Sequence, residues 1–333
     1  MSAPLNAPEN TSKHIPVLLN EVVMAMSPKD GEVYVDGTFG AGGYTRAVLM
    51  AANCTVIAID RDPDAIKRAE ALKDEFGDRF IILEGCFGDM ERLLAEAGIS
   101  QVDGIMLDIG VSSFQLDEAE RGFSFQKDGP LDMTMTQSGE NAADVVNAYP
   151  EAEIADIIYK YGDEPKSRHI ARAIVERRAE KPFERTLELA DLIENVVGRP
   201  RPKKGKKVTH PATKSFQALR VFVNDELGEL ERALGSSERL LCTGGRLVVV
   251  SFHSLEDGMV KQFMAEKSGR VAGGSRHAPI QLESAAPSTF MLKKKSAIKP
   301  SKEEMERNIR ARSSRLRLAV RTDVPSSGKG GVL

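Results

Sequence analysis

The sequence predicts an α/β protein whose parallel sheet is interrupted by an all-helical insertion, and three observations carry that prediction. Four short, nearly continuous apolar runs recur between residues 33 and 107 with helical stretches between them, the pattern of strands covered on both faces by helices. The alternation stops at about Asp132, and helical periodicity alone continues to Arg220. A strongly apolar run then returns at Arg246–Ser251, so the sheet resumes after the insertion.

The elements follow in order. Residues 1–12 are polar, with Pro, Asn and Ser, the composition of a disordered end. Val33-Tyr34-Val35-Asp36, Thr55-Val56-Ile57-Ala58-Ile59, Phe80-Ile81-Ile82-Leu83 and Gly104-Ile105-Met106-Leu107 are the predicted strands. Asp62 is a good N-cap and Pro63 suits the first helical position; Ile66, Ala69, Leu72 and Phe76 then form an apolar stripe. Such alternation implies right-handed crossovers and a doubly wound sheet. Within the insertion, helices are predicted over Ala152–Tyr161, Lys166–Ala179 and Thr186–Val197. Beyond it, Gln217–Leu234 has the pattern of one long helix and Leu316–Arg321 that of a last edge strand. The basic, Gly/Pro-containing run from Arg199 to Lys207 predicts a mobile loop. Residues 268–300, with Lys293-Lys294-Lys295, are irregular. The expected division is 1–131 with 221–333 as one domain and 132–220 as the inserted one.

Composition narrows the function classes. A 333-residue chain with 41% apolar and 29% charged residues is an ordinary globular protein. No apolar run approaches the ~18 residues of a membrane span, and the N-terminus lacks a signal-peptide hydrophobic segment. Cys54, Cys86 and Cys242 are odd in number and widely spaced. They suit neither a disulfide framework nor a zinc knuckle, and fit free thiols in a reducing cytoplasm. No ligand cluster suggests a metal. The net charge of −3 hides an asymmetry: residues 1–150 hold 11 Lys/Arg against 25 Asp/Glu, whereas 165–220 hold 15 against 6 and 290–321 hold 11 against 3. One basic block is an ordinary solvated face, but two on an acidic body favour a polyanion partner and steeply salt-dependent binding.

The first strand ends in Asp36-Gly37-Thr38-Phe39-Gly40-Ala41-Gly42-Gly43-Tyr44. Glycines at this point let the backbone turn sharply and approach a ligand at the crevice of the sheet. A dinucleotide fingerprint needs a third glycine where Thr45 stands, so a pyrophosphate site is disfavoured. The pattern is instead acid-x-x-x-G-x-G, from Asp36 through Gly40 and Gly42. It suits a cationic, zwitterionic ligand without phosphates and points to S-adenosylmethionine. Asp60, ending the second strand, stands where a carboxylate accepts both hydroxyls of a ribose; a plain strand-end Asp is the alternative. Phe87, after the third strand, can cover an adenine face. Asp108 ends the fourth strand, and the segment from Ile109 to Asp117 is too elaborate for a plain connector.

At this point the residues resemble the bacterial 16S rRNA (cytosine-N4)-methyltransferases, the RsmH or MraW family. The resemblance rests on His14-Ile15-Pro16-Val17-Leu18-Leu19, Asp36–Gly43, Ala58-Ile59-Asp60-Arg61-Asp62-Pro63 and Leu107–Ser113. It continues through Glu120-Arg121-Gly122-Phe123-Ser124-Phe125, Asp128–Met133, His210-Pro211-Ala212-Thr213, Phe216-Gln217-Ala218 and Ser251–Asp257. It covers nearly the whole chain and implies a Rossmann-like class I methyltransferase sheet. It also implies Gly42, Gly43, Tyr44, Asp60, Phe87, Asp108 and Gln115 as cofactor residues. The implied substrate is a cytidine in the decoding centre of 16S rRNA, cytidine 1402 in standard rRNA numbering, within the small ribosomal subunit. Two positions depart from the usual pattern: Tyr44 stands where His is frequent, which leaves a backbone contact, and Phe114 where Pro is frequent, which alters how Gln115 is presented.

Methyl transfer from a sulfonium needs nucleophile, carbon and sulfur in line, so alignment carries much of the catalysis. The exocyclic amine of cytosine is a poor nucleophile because its lone pair is delocalised. The Asp/Asn-Pro-Pro-aromatic loop that many amino-methyltransferases use is replaced here by Asp108-Ile109-Gly110-Val111. Asp108, or the carbonyls after it, is the expected acceptor of an N4 hydrogen. A base must leave folded RNA to be reached, and Phe123 and Phe125 are candidates to stack on it, with lid packing as the other reading. Ser251, His253, Ser254 and Asp257 lack a G-x-S-x-G elbow and do not make a hydrolase; His253 is expected to line the substrate side or to cap a helix. The basic blocks argue against a methyltransferase of a small molecule or protein, and the intact turn against a non-catalytic RNA-binding module. Methylation of another RNA stays open, as does the choice between monomer and homodimer.

Overall fold

The computed structural model describes residues 16–199, 209–270 and 287–326. The predicted N-terminal tail, the basic run beyond Arg199 and most of the irregular stretch after residue 270 lie outside the described residues. Seven strands form one sheet: β1 Val33–Asp36, β2 Thr55–Asp60, β3 Phe80–Glu84, β4 Val102–Asp108, β5 Leu241–Ser251, β6 Phe290–Met291 and β7 Arg315–Arg321. Their order is β3-β2-β1-β4-β5-β7-β6. The first five are parallel, and β7 runs antiparallel between β5 and β6.

Continuous apolar runs form these strands because both faces are covered, and side chains leave alternate faces with a period of two. Val35, Ile57, Ile59, Ile105 and Leu107 pack on one face with Leu230 and Ala233 of the helix Glu226–Leu240. Tyr34, Val56, Ala58, Met106 and Val248 pack on the other with Val48 and Leu49 of the helix Gly43–Ala51. The strand order reverses between β1 and β4, which opens the crevice where doubly wound sheets hold ligands. As expected, Asp62 caps the helix Pro63–Phe76, accepting the Asp64 N–H at 3.0 Å.

The helical stretch is also as expected, with helices at Ala142–Ala148, Glu151–Gly162, Ser167–Arg178 and Thr186–Val197. Its apolar faces meet in a third cluster that includes Ile158, Ile174, Leu189 and Leu219 and also takes in Phe123 and Leu131, ahead of the insertion. Among the described residues, no helix is long and apolar enough to cross a membrane. All three cysteines are free.

Two expectations fail. The long helix over Gln217–Leu234 is two helices, Thr213–Val223 and Glu226–Leu240. Asn224 breaks it: its amide donates to the Met133 carbonyl at 2.7 Å and accepts the Met135 N–H at 2.8 Å, and Asp225 follows at φ +47°. An Asn amide that finds backbone partners elsewhere competes with helix continuation. Nor is Arg315–Arg321 an edge strand, because the two-residue β6 pairs outside it; so short a strand has no periodicity to detect.

Candidate active site

A cavity of about 520 Å³ opens at the carboxyl ends of β1 to β5. One half is built on the glycine turn. Gly40 and Gly42 hold φ +54° and +73°, where side chains are strained. A Cβ on Gly42 would stand 2.8 Å from the Phe39 ring, and one on Gly43 2.2 Å from Pro16 Cγ. Bare backbone is therefore required here, and Gly40, Gly43 and Tyr44 line the cavity. Asp36 does not face it, nor does Gly42. The Asp36 carboxylate lies buried behind the turn, accepting the Thr38 N–H at 3.1 Å and the Thr45 hydroxyl at 2.7 Å. Burial raises its pKa to about 6 against these stabilising bonds. Asp36 thus shapes the turn from behind it.

Asp60 does line the cavity. Its two oxygens accept the Gly40 N–H at 2.7 Å and the Asp62 N–H at 2.9 Å, which ties the glycine turn to the end of β2. Each oxygen keeps lone-pair capacity for a hydroxyl; burial raises its pKa. Phe87 lies on the wall at the start of a short 3₁₀ turn, whose Gly88 N–H is held by Glu229 at 2.7 Å. Gln115 also borders the cavity, but its amide is turned inward. Its side chain completes a capping box with Ser112, at 2.9 and 3.2 Å, and donates to Asp62 at 2.8 Å. The same Asp62 oxygen receives Arg121 at 2.9 Å. Sequence reasoning saw Asp62 as a helix cap alone, and its partners lie more than 50 residues away.

Asp108 stands between the two halves. Its backbone N–H donates to Thr38 Oγ1 at 2.6 Å, but its buried Oδ1 has no hydrogen-bond partner among the described residues. Burial, then the charges of Asp36 and Glu256, raise its pKa to about 8, with the Tyr44 hydroxyl opposing. Tyr44 is itself buried, its hydroxyl bonded to the Val17 carbonyl. Phe114 lies under Arg68, whose guanidinium is 4.4 Å from the ring centroid and whose Nε reaches the Gly40 carbonyl at 3.3 Å.

The other half is aromatic. Phe125 lies 4.7 Å from the His210 ring and, edge-on, 4.7 Å from Phe216. Phe123 packs in the helical cluster with Arg121 near its face. His253 borders the cavity and also caps the helix Ser254–Lys267. Its Nδ1 accepts the Glu256 N–H at 3.4 Å and its Nε2 lies 2.8 Å from Glu256 Oε1, so both ring nitrogens face the helix. Burial would raise Glu256, but His253, Arg220 and the Phe252 amide outweigh it and hold its pKa low.

Sequence reasoning missed Arg220 and Glu226, which also line the cavity and form a two-pronged ion pair at 2.8 and 2.9 Å. Six residues apart on one helix, they would point in divergent directions; the break at Asn224 brings them together. An Asn-Asp dipeptide inside an apolar helical pattern is the signal that could have exposed it. Glu226, His253 and Glu256 also place potential metal-ligand atoms within 4.8 Å of one another, a grouping the sequence did not suggest. In the described structure Arg220 takes both oxygens of Glu226, and the Phe252 and His253 amides take Glu256 Oε2 at 2.7 and 3.1 Å.

Residues 11–322 match the model of the MraW methylase family. A ribosomal RNA small subunit methyltransferase H from Rhodospirillum rubrum is 58% identical over 316 residues, covering 94% of this chain and 95% of that protein. A protein of the same name from Caulobacter vibrioides is 57% identical over 316 residues, covering 95% and 98%. A solved S-adenosylmethionine-dependent O-methyltransferase from Thermotoga maritima superposes at a TM-score of 0.40 with 11% identity, covering 95% of this chain and 69% of that one; nothing rests on so distant a likeness.

Proposed function

The chain belongs to the MraW methylase family, and from that premise we propose that it methylates the N4 amino group of a cytidine in the decoding centre of 16S rRNA, cytidine 1402 in standard numbering. Methylation of small-subunit rRNA with S-adenosylmethionine as donor is the part its relatives support directly. The base, the atom and the ribosomal context are our reading. The observation that carries it is the buried Asp108 Oδ1, without a hydrogen-bond partner among the described residues, on a residue that lines the cavity between its glycine-turn part and its aromatic part.

The residues fit the donor. The turn from Gly40 to Tyr44 offers bare backbone, Asp60 offers a ribose two acceptor oxygens, Phe87 offers adenine an apolar face, and Gln115 holds the wall through Asp62. The donor, when bound, supplies an electrophilic methyl on a sulfonium. Everything else is alignment and charge. Asp108 has a raised pKa in the free chain, and a neighbouring cation favours its ionised form. Ionised, it accepts an N4 hydrogen, localises the lone pair on the amine and draws off the proton that the product must lose. Phe125 and His253 enclose the base, with Phe123 behind them. The helical segment 132–220 serves as the substrate-recognition domain, and the basic blocks contact rRNA phosphates and set register. A reaction on ribosomal RNA places the protein in the cytoplasm.

The test is transfer of isotopically labelled methyl to small-subunit particles, to naked 16S rRNA and to free cytidine, followed by nucleoside mass spectrometry. Label in N4-methylcytidine from particles or rRNA, with none on free cytidine, is expected. Label in another nucleoside would overturn the assignment of the atom.

A further inference from the structure

The proposed chemistry leaves the Arg220–Glu226 pair, which lines the cavity, unused. Arg220 lies in the last turn of the helix Thr213–Val223 and Glu226 opens the next helix, and both are largely buried, at 14% and 3% side-chain exposure. Arg220 Nε and Nη2 donate to the two Glu226 oxygens at 2.8 and 2.9 Å. Such two-pronged pairing fixes the plane of a guanidinium and not merely its charge. It uses one edge of the group; Nη1, on the other edge, takes no hydrogen bond among the described residues, and Arg220 lines the cavity.

Resting on the cytidine reading above, we infer that this edge is a subsite for the acceptor face of the target base. Arg220 donates to pyrimidine O2 and N3, and Glu226 is its positioning residue. An arginine in a cavity can equally meet a phosphate, and the surroundings decide between them. Glu226 is already bonded to Arg220, and Glu256 is near enough that Arg220 helps keep it ionised. A phosphate would face both carboxylates, whereas a neutral carbonyl and ring nitrogen would not. Phe125, Phe216, Phe252 and His253 line the same cavity and suit a flat base. Cytosine presents two adjacent acceptors at O2 and N3, but uracil presents an N3–H donor that would meet the guanidinium head-on. The subsite therefore selects cytosine before any methyl is moved, by the penalty for leaving a buried donor unpaired.

The test compares small-subunit particles carrying C or U at the methylated position, bound by protein loaded with S-adenosylhomocysteine. The wild-type chain is expected to bind the C particles at least about tenfold more tightly. Arg220→Lys keeps a cation opposite Glu226 but loses the fork, and is expected to bind the two within about twofold, with S-adenosylmethionine affinity unchanged. Glu226→Gln, which loosens the fork but keeps Arg220, is expected to lose part of the preference, and it decides the matter alone if Arg220→Lys does not fold. Retention of the full preference by the folded variants would overturn the inference. So would equal weakening for C and U particles, which marks a phosphate contact, or a wild-type chain without preference. Nucleoside analysis of the wild-type product is read separately, so a wrong target atom is distinguished from a wrong subsite.

Discussion

The two ends of the cavity are assembled by opposite means. At the glycine turn, strand, turn and helix are consecutive in the chain; Asp36 holds Thr38 and Thr45 within them, and Asp60 ties Gly40 to the end of the next strand. At the aromatic end, Phe125 meets Phe216, His253 pairs with the buried Glu256 of its own helix, and Arg220 meets Glu226 across a helix break. The first end presents backbone and acceptors, the second rings and an oriented cation. The contrast teaches that the glycine-turn end is built by neighbouring elements of the sheet, whereas the aromatic end takes part of its wall from the helical segment. It also predicts that the ends can be damaged separately, and Asp108 at their junction is where damage should reach both.

The largest effect is expected at Asp108. Asp108→Asn keeps the shape but removes the ionisable acceptor, and kcat should fall by about 10² to 10⁴; a fall of less than tenfold would remove Asp108 from the chemistry. The same variant has a pH signature. The folded-state pKa of Asp108 is raised to about 8 from an ordinary 3.8. Its contribution to stability is therefore present in acid and is lost as pH rises toward 8, once the unfolded chain ionises more readily than the folded one. Asparagine suffers no such loss. The melting temperature of Asp108→Asn should thus gain on wild type between pH 5 and 8, by on the order of 10 °C, and the gap should level off above that. For the same reason, affinity of the wild type for the cationic cofactor should rise over that range, and that of the variant should stay flat.

Next in size is Asp60→Ala. It removes the acceptor at the cavity wall and two backbone pins together, so S-adenosylmethionine affinity measured by calorimetry should fall about a hundredfold, while rRNA binding stays within twofold. Smaller, and of opposite pattern, is Phe125→Ala. KM for small-subunit particles should rise about tenfold through loss of stacking area, with cofactor affinity unchanged. If Phe125→Ala weakened the cofactor as much as Asp60→Ala does, the two ends would not be separable.

Legibility in the sequence follows the same division. The turn, the five parallel strands and Asp60 could be read because each signal lies within about ten residues: apolar runs, glycines, and an acid at a strand end. Asp36 was recognised, but its direction was not, since the pattern acid-x-x-x-G-x-G is the same whether the carboxylate faces a ligand or, as here, holds Thr38 and Thr45 from behind. Gln115 came from family resemblance, and its bond to Asp62 spans 53 residues. Arg220 and Glu226 were hidden inside what looks like one continuous helix, because no periodicity records that Asn224 prefers the carbonyl of Met133. Glu256 was unremarkable as an acid in the first turn of a helix; burial under His253 makes it part of the site.

The most direct test of the central claim is nucleoside mass spectrometry of 16S rRNA from cells lacking this chain, with wild-type and Asp108→Asn copies restored. Loss of N4 methylation at one decoding-centre cytidine, recovered by the wild type and not by Asp108→Asn, is the predicted result. An unchanged pattern of cytidine methylation in cells lacking the chain would contradict it.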